Sequence, residues 1–211
     1  MQLKSTFSNS IQHIIFDFGA VIININYHLT SQAFQNLGVS NFDELFSKAK
    51  QSNLFNDLEK GLIGENDFYN TIRTITQLDI SNQNIQNAWN AMLLDLPIER
   101  MNLIHQLKNK YNTFLLSNTN KIHADAFFKQ IDKQMTLDYF NSAFNKIYLS
   151  HEINLRKPDA EIFEFVLSKN NLNRQDTLFI DDSIQHIESA KKLGIHTHHL
   201  LDSETIFDLF E

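Results

Sequence analysis

Carboxylates stand directly after two apolar segments of the chain. Asp17 follows Ile14-Ile15-Phe16, and Asp181 and Asp182 follow Thr177-Leu178-Phe179-Ile180. A carboxylate can act as a nucleophile and divide one difficult displacement into two easier steps. Carboxylate oxygens are also ligands that hard divalent cations prefer. Taken alone, each position has an ordinary explanation, since Asp17 suits a turn at a strand end and Asp182 suits a helix cap.

Two further groups of polar residues have a similar context. Ser117 and Asn118 follow the apolar residues 113–116, and Lys157 stands before Pro158. Hydroxyl, amide and ammonium groups can hold the oxygens of an anion and stabilise charge on a group in transfer. Alone, Ser117 and Asn118 suit a turn, and Lys157 suits a solvated surface. The interpretation therefore depends on whether the fold brings these groups and the carboxylates together.

Four short apolar runs predict strands that are buried on both faces. They are residues 14–16, 113–116, 146–149 and 177–180. Unbroken runs of this kind are typical of parallel sheets, which helices cover on both faces. Three of the runs end at Asp17, Ser117 and Asp181. We therefore expect these side chains at the carboxyl edge of the sheet, where ligands bind in such folds.

Helical patterns separate the predicted strands. Apolar residues with helical spacing occur over 98–107, 162–167 and 184–193. Pro158 suits the first turn of the second helix, Ser183 suits the N-cap of the third, and Gly194 suits its C-terminal stop. This alternation predicts an α/β fold with a Rossmann-like parallel sheet and helices on both faces.

Residues 27–96 have a different pattern, without a clear buried strand. Three groups of residues indicate helix faces: Leu29, Ala33, Phe34 and Leu37; then Phe42, Leu45, Phe46 and Ala49 after a capping box of Asn41 and Glu44; then Ile85, Trp89, Met92 and Leu93. We predict a helical domain over 27–96 that is inserted after the first strand. Residues 1–26 and 97–211 would then form the core domain.

Composition restricts the partners of the chain. Its 211 residues carry a net charge of -7, contain no cysteine and show no run of Lys or Arg. The missing basic cluster argues against a nucleic-acid surface and against a cationic membrane-binding helix. The missing cysteines exclude disulfides and thiolate chemistry. We expect a cytoplasmic protein that acts on a small molecule, as a monomer or weak homodimer.

The order of the polar motifs resembles that of the haloacid dehalogenase-like superfamily. The motifs are Phe16-Asp17-Phe18-Gly19-Ala20-Val21, Leu115-Leu116-Ser117-Asn118, Leu155-Arg156-Lys157-Pro158-Asp159 and Phe179-Ile180-Asp181-Asp182-Ser183. They span nearly the whole chain in the order of that superfamily. The resemblance implies a Mg²⁺-dependent phosphatase for a small phosphorylated metabolite, with the helical insertion acting as a cap over the site.

The resemblance also assigns roles to individual residues. It implies that Asp17 is the nucleophile and forms a phospho-aspartyl intermediate. Asp17, the main-chain carbonyl of Gly19 and Asp182 would hold Mg²⁺, with Asp181 nearby or in the outer sphere.

The remaining polar motifs would hold the phosphate. By the same resemblance, Ser117, Asn118 and Lys157 bind the phosphoryl oxygens. These three residues complete the predicted site.

Gly19 departs from the pattern of most phosphatases of the superfamily, which carry an acid at this position. That acid protonates the leaving group, a contribution of roughly 10²–10⁴-fold. The form Asp17-Phe18-Gly19 is similar to the branch of glucose 1-phosphate phosphatases and of the phosphatase-like domain joined to some epoxide hydrolases. His151 is a candidate for the missing acid. Without a replacement, we expect anomeric sugar phosphates and aryl phosphates to react better than simple alkyl phosphates.

Two alternatives stay open at this point. A haloacid dehalogenase would use Asp17 on carbon, but it needs no metal and therefore has no use for the pair Asp181-Asp182. A catalytically weak binding or regulatory protein is favoured by Gly19 alone. His196, His198 and His199 also suggest a metal site, but alternation places only two of them on one strand face, fewer than a zinc site needs.

Overall fold

Five parallel strands form the centre of the protein. The computed structural model describes residues 1–39, 42, 44 and 53–211. The strands are β1 (His13–Phe16), β2 (Asn112–Ser117), β3 (Lys146–Leu149), β4 (Thr177–Asp181) and β5 (His196–His199), in the spatial order β3-β2-β1-β4-β5. All four predicted strands are confirmed, and β5 adds an edge next to β4.

The described parts of residues 27–96, between β1 and β2, contain helices. They are α1 (Tyr27–Asn36), α2 (Leu54–Glu59), α3 (Glu65–Thr76) and α4 (Asn82–Asn90). Phe34, Phe68, Ile85 and Trp89 are among the buried residues of a hydrophobic cluster that these helices share. The predicted insertion of helices after the first strand is thus confirmed for the described residues. The predicted capping box at Asn41, with Leu45, Phe46 and Ala49, lies outside them.

The prediction for the end of the fourth helix is wrong. Met92 and Leu93 lie beyond Asn90, the last residue of α4. Leu93 instead forms an antiparallel bridge with Ile25. The spacing of these apolar residues is compatible with a helix, but residues 92–95 instead pair with residues 24–26.

The two linkers of the helical insertion form a short paired ribbon. Asn24 N–H donates to Asp95 O at 2.9 Å, and Leu94 N–H donates to Asn24 O at 3.0 Å. Asn26 N–H donates to Met92 O at 2.9 Å. The segment that leaves the sheet is therefore hydrogen-bonded to the segment that returns to it.

The remaining helices pack against the two faces of the sheet. They are α5 (Ile98–Leu107), α6 (Lys121–Met135), α7 (Leu137–Ser142), α8 (Ser150–Ile153), α9 (Ala160–Lys169) and α10 (Ile184–Lys192), with 3₁₀ turns at Arg174–Asp176 and Ile206–Leu209. Pro158 was expected in the first turn of α9, but Asp159 is the N-cap and Ala160 begins the helix. Gly194, at φ +83°, follows α10 as predicted.

Alternate residues of β1 enter different halves of the core. Ile14 and Phe16 belong to a cluster with α5 and α6, whereas Ile15 belongs to a cluster with α9 and α10. Because successive side chains of a strand point to opposite faces, an unbroken apolar run is required in a sheet covered on both sides. The burial of β1 therefore fixes Asp17 at the carboxyl edge. Among the helices of the described residues, none has the length and apolar character needed to cross a bilayer.

Candidate active site

Three carboxylates meet at the carboxyl edge of the sheet. β1 and β4 are neighbours in parallel register, with Phe16 opposite Ile180. The residues that follow or end these strands therefore converge, and ligand oxygens of Asp17, Asp181 and Asp182 lie within 4.8 Å of one another. Asp17 N–H donates to Ile180 O at 2.9 Å and so fixes the main chain at the strand end.

Lys157 inserts its ammonium between two of these acids. Nζ donates to Asp17 Oδ1 at 2.6 Å, to Asp181 Oδ2 at 2.6 Å and to the carbonyl of Leu116 at 2.9 Å. The Lys157 side chain is fully buried, with an exposed fraction of 0%. A buried charge is stable only when it is paired and hydrogen-bonded. The solvated lysine that the sequence also allowed is thereby excluded.

Mutual electrostatics determine the protonation of this group. Burial raises the pKa of Asp17, Lys157 opposes this, and Asp181 and Asp182 raise it further, to about 7. Burial lowers the pKa of Lys157, but the carboxylates of Asp17 and Asp181 outweigh burial and raise it overall. Lys157 therefore keeps its proton. When no cation is bound, Asp17 is partly protonated near pH 7.

Both carboxylate oxygens of Asp181 have hydrogen-bond partners in the protein. His186 Nδ1 lies 2.9 Å from Oδ1 and 3.0 Å from Oδ2, and Ser183 N–H donates to Oδ1 at 2.8 Å. Burial raises the pKa of Asp181, but Lys157 and His186 prevail and hold it at about 2. Asp181 is thus an ionised anchor that orients Lys157 and His186. Ser183 is at the N-cap of α10 as predicted, although its hydroxyl makes no capping bond.

Asp17, Gly19 and Asp182 offer oxygen ligands to a cation. All three line the same cavity, whereas Asp181 does not. Burial, followed by the charge of Asp181, raises the pKa of Asp182, and His199 Nε2 lies 2.9 Å from the Asp182 carbonyl oxygen. Two carboxylates and a main-chain carbonyl, with room for water, suit Mg²⁺, which takes hard oxygen ligands and retains waters.

Ser117 and Asn118 have different surroundings. Ser117 is buried at the end of β2 and lines the cavity near Asp17. The Asn118 amide instead bonds to the Lys157 main chain, since Nδ2 donates to the Lys157 carbonyl at 2.8 Å and Oδ1 accepts from its N–H at 2.9 Å. The side chain of Asn118 is therefore committed to positioning Lys157.

At Gly19, an acidic side chain would fit only if the Ile25 side chain moved slightly. A Cβ atom there would lie 3.2 Å from Cδ1 of Ile25, the flexible end of a side chain. His151, the candidate replacement, is not among the residues that line the cavity. Its carbonyl oxygen packs against Gly61, where a Cβ atom would approach it to 2.3 Å. His151 is therefore a contact between α8 and the helical insertion.

The cavity has a volume of about 580 Å³ and lies between the sheet edge and the helical insertion. Residues that the sequence reasoning did not single out line it: Tyr27, Asn53, Asn56, Glu59, His123, Arg156 and His186. Three of them stand near a motif: Arg156 precedes Lys157, His186 lies in the helix after Asp182, and His123 lies in the helix after Asn118. Glu59 is distant in sequence from every motif.

Aromatic rings form one wall of the cavity. We define the ring stack as Phe55, Trp89 and His123. Phe55 and Trp89 have centroids 5.4 Å apart at 11°, and Trp89 and His123 have centroids 5.1 Å apart at 7°. Phe55 belongs to α2, Trp89 to α4 and His123 to α6. The stack therefore joins the helical insertion to the helices of the sheet.

Ion pairs join α2 to the loop that carries Lys157. Arg156 Nε donates to Glu59 Oε2 at 2.8 Å, and Lys60 Nζ donates to Asp159 Oδ2 at 2.8 Å. Burial raises the pKa of Glu59, and Arg156 opposes it. Both pairs involve residues next to the Lys157-Pro158 segment and bond it to the insertion. The Lys157 ammonium bonds the same segment to the sheet edge.

The histidines of β5 have other partners. His198 Nε2 lies 3.3 Å from Glu204 Oε2, and His199 contacts Asp182 as described. Over residues 1–39, 42, 44 and 53–211, the group of His, Asp and Glu side chains close enough to share a metal is Asp17, Asp181 and Asp182.

Comparison with known proteins places this geometry in a family. Residues 14–199 match the family described as haloacid dehalogenase-like hydrolase. The chain is 29% identical over 191 residues to the D-ribitol-5-phosphate phosphatase of Bacteroides thetaiotaomicron, covering 89% of this chain and 90% of that protein. It is 26% identical to a sesquiterpene phosphatase of Aspergillus oryzae, covering 90% of this chain and 89% of that protein.

A solved structure agrees over nearly the full length. A haloacid dehalogenase family enzyme from Bacteroides thetaiotaomicron, crystallised with magnesium and inorganic phosphate, superposes with a TM-score of 0.86 at 33% identity. The match covers 95% of this chain and 100% of that one. With the motif residues assembled at one sheet edge and a match over residues 14–199, the chain belongs to the haloacid dehalogenase-like hydrolase family.

Proposed function

We propose that this protein is a Mg²⁺-dependent phosphomonoesterase for a small polyol or sugar phosphate. The observation that carries the proposal is the convergence of Asp17, Asp182 and Lys157 on one cavity. A nucleophilic carboxylate, a set of oxygen ligands and a buried ammonium are the groups that phosphoryl transfer to an aspartate requires.

The reaction proceeds in two displacements. A carboxylate oxygen of Asp17 attacks phosphorus, an Asp17 O–P bond forms, the P–O bond to the leaving group breaks, and the leaving oxygen takes a proton from solvent to become the alcohol. Water then attacks phosphorus, which releases inorganic phosphate and restores the carboxylate. Mg²⁺, held by Asp17, Asp182 and the Gly19 carbonyl, would neutralise the charge of the phosphate and its nucleophile.

Lys157 and Ser117 hold the transferring group. Lys157 already contacts Asp17 Oδ1 at 2.6 Å, so its ammonium stands where the phosphoryl oxygens must approach. The Ser117 hydroxyl stands at the end of the neighbouring strand, and its one hydrogen bond within the described part of the chain is a long contact of 3.5 Å to the Asn118 carbonyl. The main chain of Asn118 completes this loop, while its side chain positions Lys157.

The helical insertion acts as a cap, with 27–96 as the cap domain and the rest of the chain as the core. Support comes from the cavity, which has α2 and α4 residues on one side and the sheet edge on the other. Closure over the site excludes water and selects the leaving group. The ion pairs of Glu59 and Lys60 fix the cap beside Lys157.

The substrate class follows from the relatives and the cavity. A relative covering most of the chain is a D-ribitol-5-phosphate phosphatase, and a more distant one is a sesquiterpene phosphatase. A volume of about 580 Å³ falls within the range of small-molecule sites. Asn56, Glu59 and Arg156 line it with polar groups that suit hydroxyls. A chain without cysteine that acts on such metabolites suits the cytoplasm.

A substrate panel tests the proposal. Purified protein is assayed for phosphate release from D-ribitol 5-phosphate, glucose 1-phosphate, glucose 6-phosphate and p-nitrophenyl phosphate, with Mg²⁺ or with EDTA. We expect release that requires Mg²⁺. Halide release from 2-chloropropionate in EDTA would instead support the dehalogenase alternative, and no turnover of any phosphate ester would refute the proposal.

A further inference from the structure

His123 occupies a fixed position at the wall of the cavity. The side chain of Asn120 caps α6 and accepts from His123 N–H at 3.0 Å. The ring packs against Trp89 with 7° between the planes. The mechanism above gives His123 no role, although it lines the same cavity as Asp17.

The tautomer of His123 is set by Asn90, the last residue of α4. His123 Nδ1 lies 2.7 Å from Asn90 Oδ1. A carbonyl oxygen only accepts hydrogen bonds, so Nδ1 carries the proton. Nε2 of the neutral ring is then an acceptor, because the hydrogen bond at one ring nitrogen determines the role of the other.

The acceptor has no hydrogen-bond donor within the described part of the chain. His123 is only 8% exposed, and its side-chain hydrogen bond is the one to Asn90. Nε2 is not among the fully enclosed side-chain atoms that lack a partner, so it keeps accessible surface in a residue that lines the cavity. A ligand in the cavity is the available source of a donor for Nε2.

Two features keep the ring neutral. Burial lowers the pKa of His123 to about 3. The ring also lies in the first turn of α6, where the positive end of the helix dipole disfavours an imidazolium. Because the ring does not become a cation near neutral pH, it does not turn into a double donor.

We propose that His123 is a specificity-determining residue whose Nε2 accepts a hydrogen bond from a hydroxyl of the leaving group. The proposal rests on the proposed phosphatase function. It explains how a wall of aromatic rings can prefer a polyol, because a leaving group without a hydroxyl would leave the Nε2 acceptor unsatisfied. An acceptor that a bound leaving group covers without donating to it costs about 1–3 kcal/mol, which corresponds to roughly fivefold to 150-fold in preference.

The test compares two esters of the same chain length. D-Ribitol 5-phosphate carries hydroxyls along its chain, and n-pentyl phosphate carries none. The measured quantity is the ratio of their kcat/KM values. We expect His123→Phe, which keeps a ring for stacking on Trp89, to lower this ratio at least tenfold, mainly by raising KM for the polyol ester.

Two further variants control the result. His123→Gln places an amide oxygen near the position of Nε2 and should restore part of the ratio. His105→Phe alters a histidine whose ring packs at a tilt against Tyr139. His105 is not among the residues lining the cavity, so this variant should leave the ratio unchanged. Thermal melting shows whether each variant is folded.

The outcomes separate the inference from the phosphatase function. Mg²⁺-dependent hydrolysis with a ratio that His123→Phe and His123→Gln both leave unchanged would overturn the role of His123 and leave the phosphatase function standing. If the wild type hydrolyses no phosphate ester, the proposed function fails and the inference fails with it.

Discussion

Asn118 holds the main chain of Lys157 by both of its polar atoms. Nδ2 donates to the Lys157 carbonyl at 2.8 Å, and Oδ1 accepts from the Lys157 N–H at 2.9 Å. Ser117 precedes Asn118 directly, so the Asn118 amide ties together Ser117 and Lys157, the two groups that the proposed mechanism places against the phosphate. The loop after β2 and the loop before α9 are therefore held at a fixed distance from each other.

Asn118→Ala should loosen this spacing. Two main-chain groups of Lys157 would lose their partners, each hydrogen bond being worth about 1 kcal/mol. We expect kcat to fall about tenfold or more with a smaller effect on KM. Asn118→Asp is the matched comparison, since it keeps the acceptor for Lys157 N–H and should be intermediate. Equal kcat values for the wild type and Asn118→Ala would show that Lys157 is positioned by other contacts.

Asp17→Asn should remove turnover while preserving the fold. The amide is nearly isosteric but is a poor nucleophile, so we expect a loss of at least about 10³-fold in kcat. Asp202→Asn, at an exposed acid, serves as the control. A folded Asp17→Asn variant with full activity would take Asp17 out of the nucleophile role.

The same variant should change stability with pH in EDTA. Asp17 has an ordinary pKa of 3.8 and a folded-state pKa of about 7. Because the folded state binds this proton more strongly, the wild type loses stability as pH rises through that window, and the full cost is present above pH 7. Asn does not titrate. The melting temperature of Asp17→Asn minus that of the wild type should therefore increase from pH 5 to pH 8, and a constant difference would contradict the raised pKa.

Mg²⁺ should stabilise the protein through Asp17 and Asp182. At a concentration of about 100 times its dissociation constant, a ligand of the folded state adds about 2.7 kcal/mol. We expect a higher melting temperature in Mg²⁺ than in EDTA for the wild type and little shift for Asp182→Asn. In EDTA that variant should melt no lower than the wild type, since it removes a like charge from the group. A full Mg²⁺ shift in Asp182→Asn would place the ion elsewhere.

Gly19→Asp should supply the acid that the chain lacks. Its Cβ would lie 3.2 Å from Ile25 Cδ1, a flexible neighbour. We expect kcat for D-ribitol 5-phosphate or glucose 6-phosphate to rise more than for p-nitrophenyl phosphate, whose leaving group needs little protonation. Gly19→Asn matches the shape without the acid and should not reproduce the gain. Equal effects of the two variants would mean that the change is steric.

The strands and their terminal residues were predictable because both depend on local pattern. An apolar run that ends in a polar residue predicts a buried strand and the side chain at its end, as for Asp17 and Ser117. Parallel pairing then brings such ends together without knowledge of any particular contact. The burial of Lys157 was not visible in this pattern, and only the resemblance of its motif assigned Lys157 to the site.

The contacts between the insertion and the sheet could not be predicted. Glu59 and Arg156 are 97 positions apart and carry no common motif. Asn90 and His123 meet because α4 lies against α6, and helix packing angles are not encoded in the period of either helix. The tautomer of His123 depends on that meeting, so no reading of the sequence alone could assign it.

The paired ribbon of linkers restricts how the insertion can move. Because Asn24 is bonded to both Asp95 and Leu94, the outgoing and returning segments cannot slide past each other without breaking main-chain hydrogen bonds. A motion that slides one linker along the other would break these bonds, whereas a motion that carries both linkers together would keep them. Ile25 and Leu93, which pair within it, also line the cavity. A molecule in the cavity would therefore lie against the two linkers that join the insertion to the sheet, and we expect its shape to influence how the insertion sits over the site.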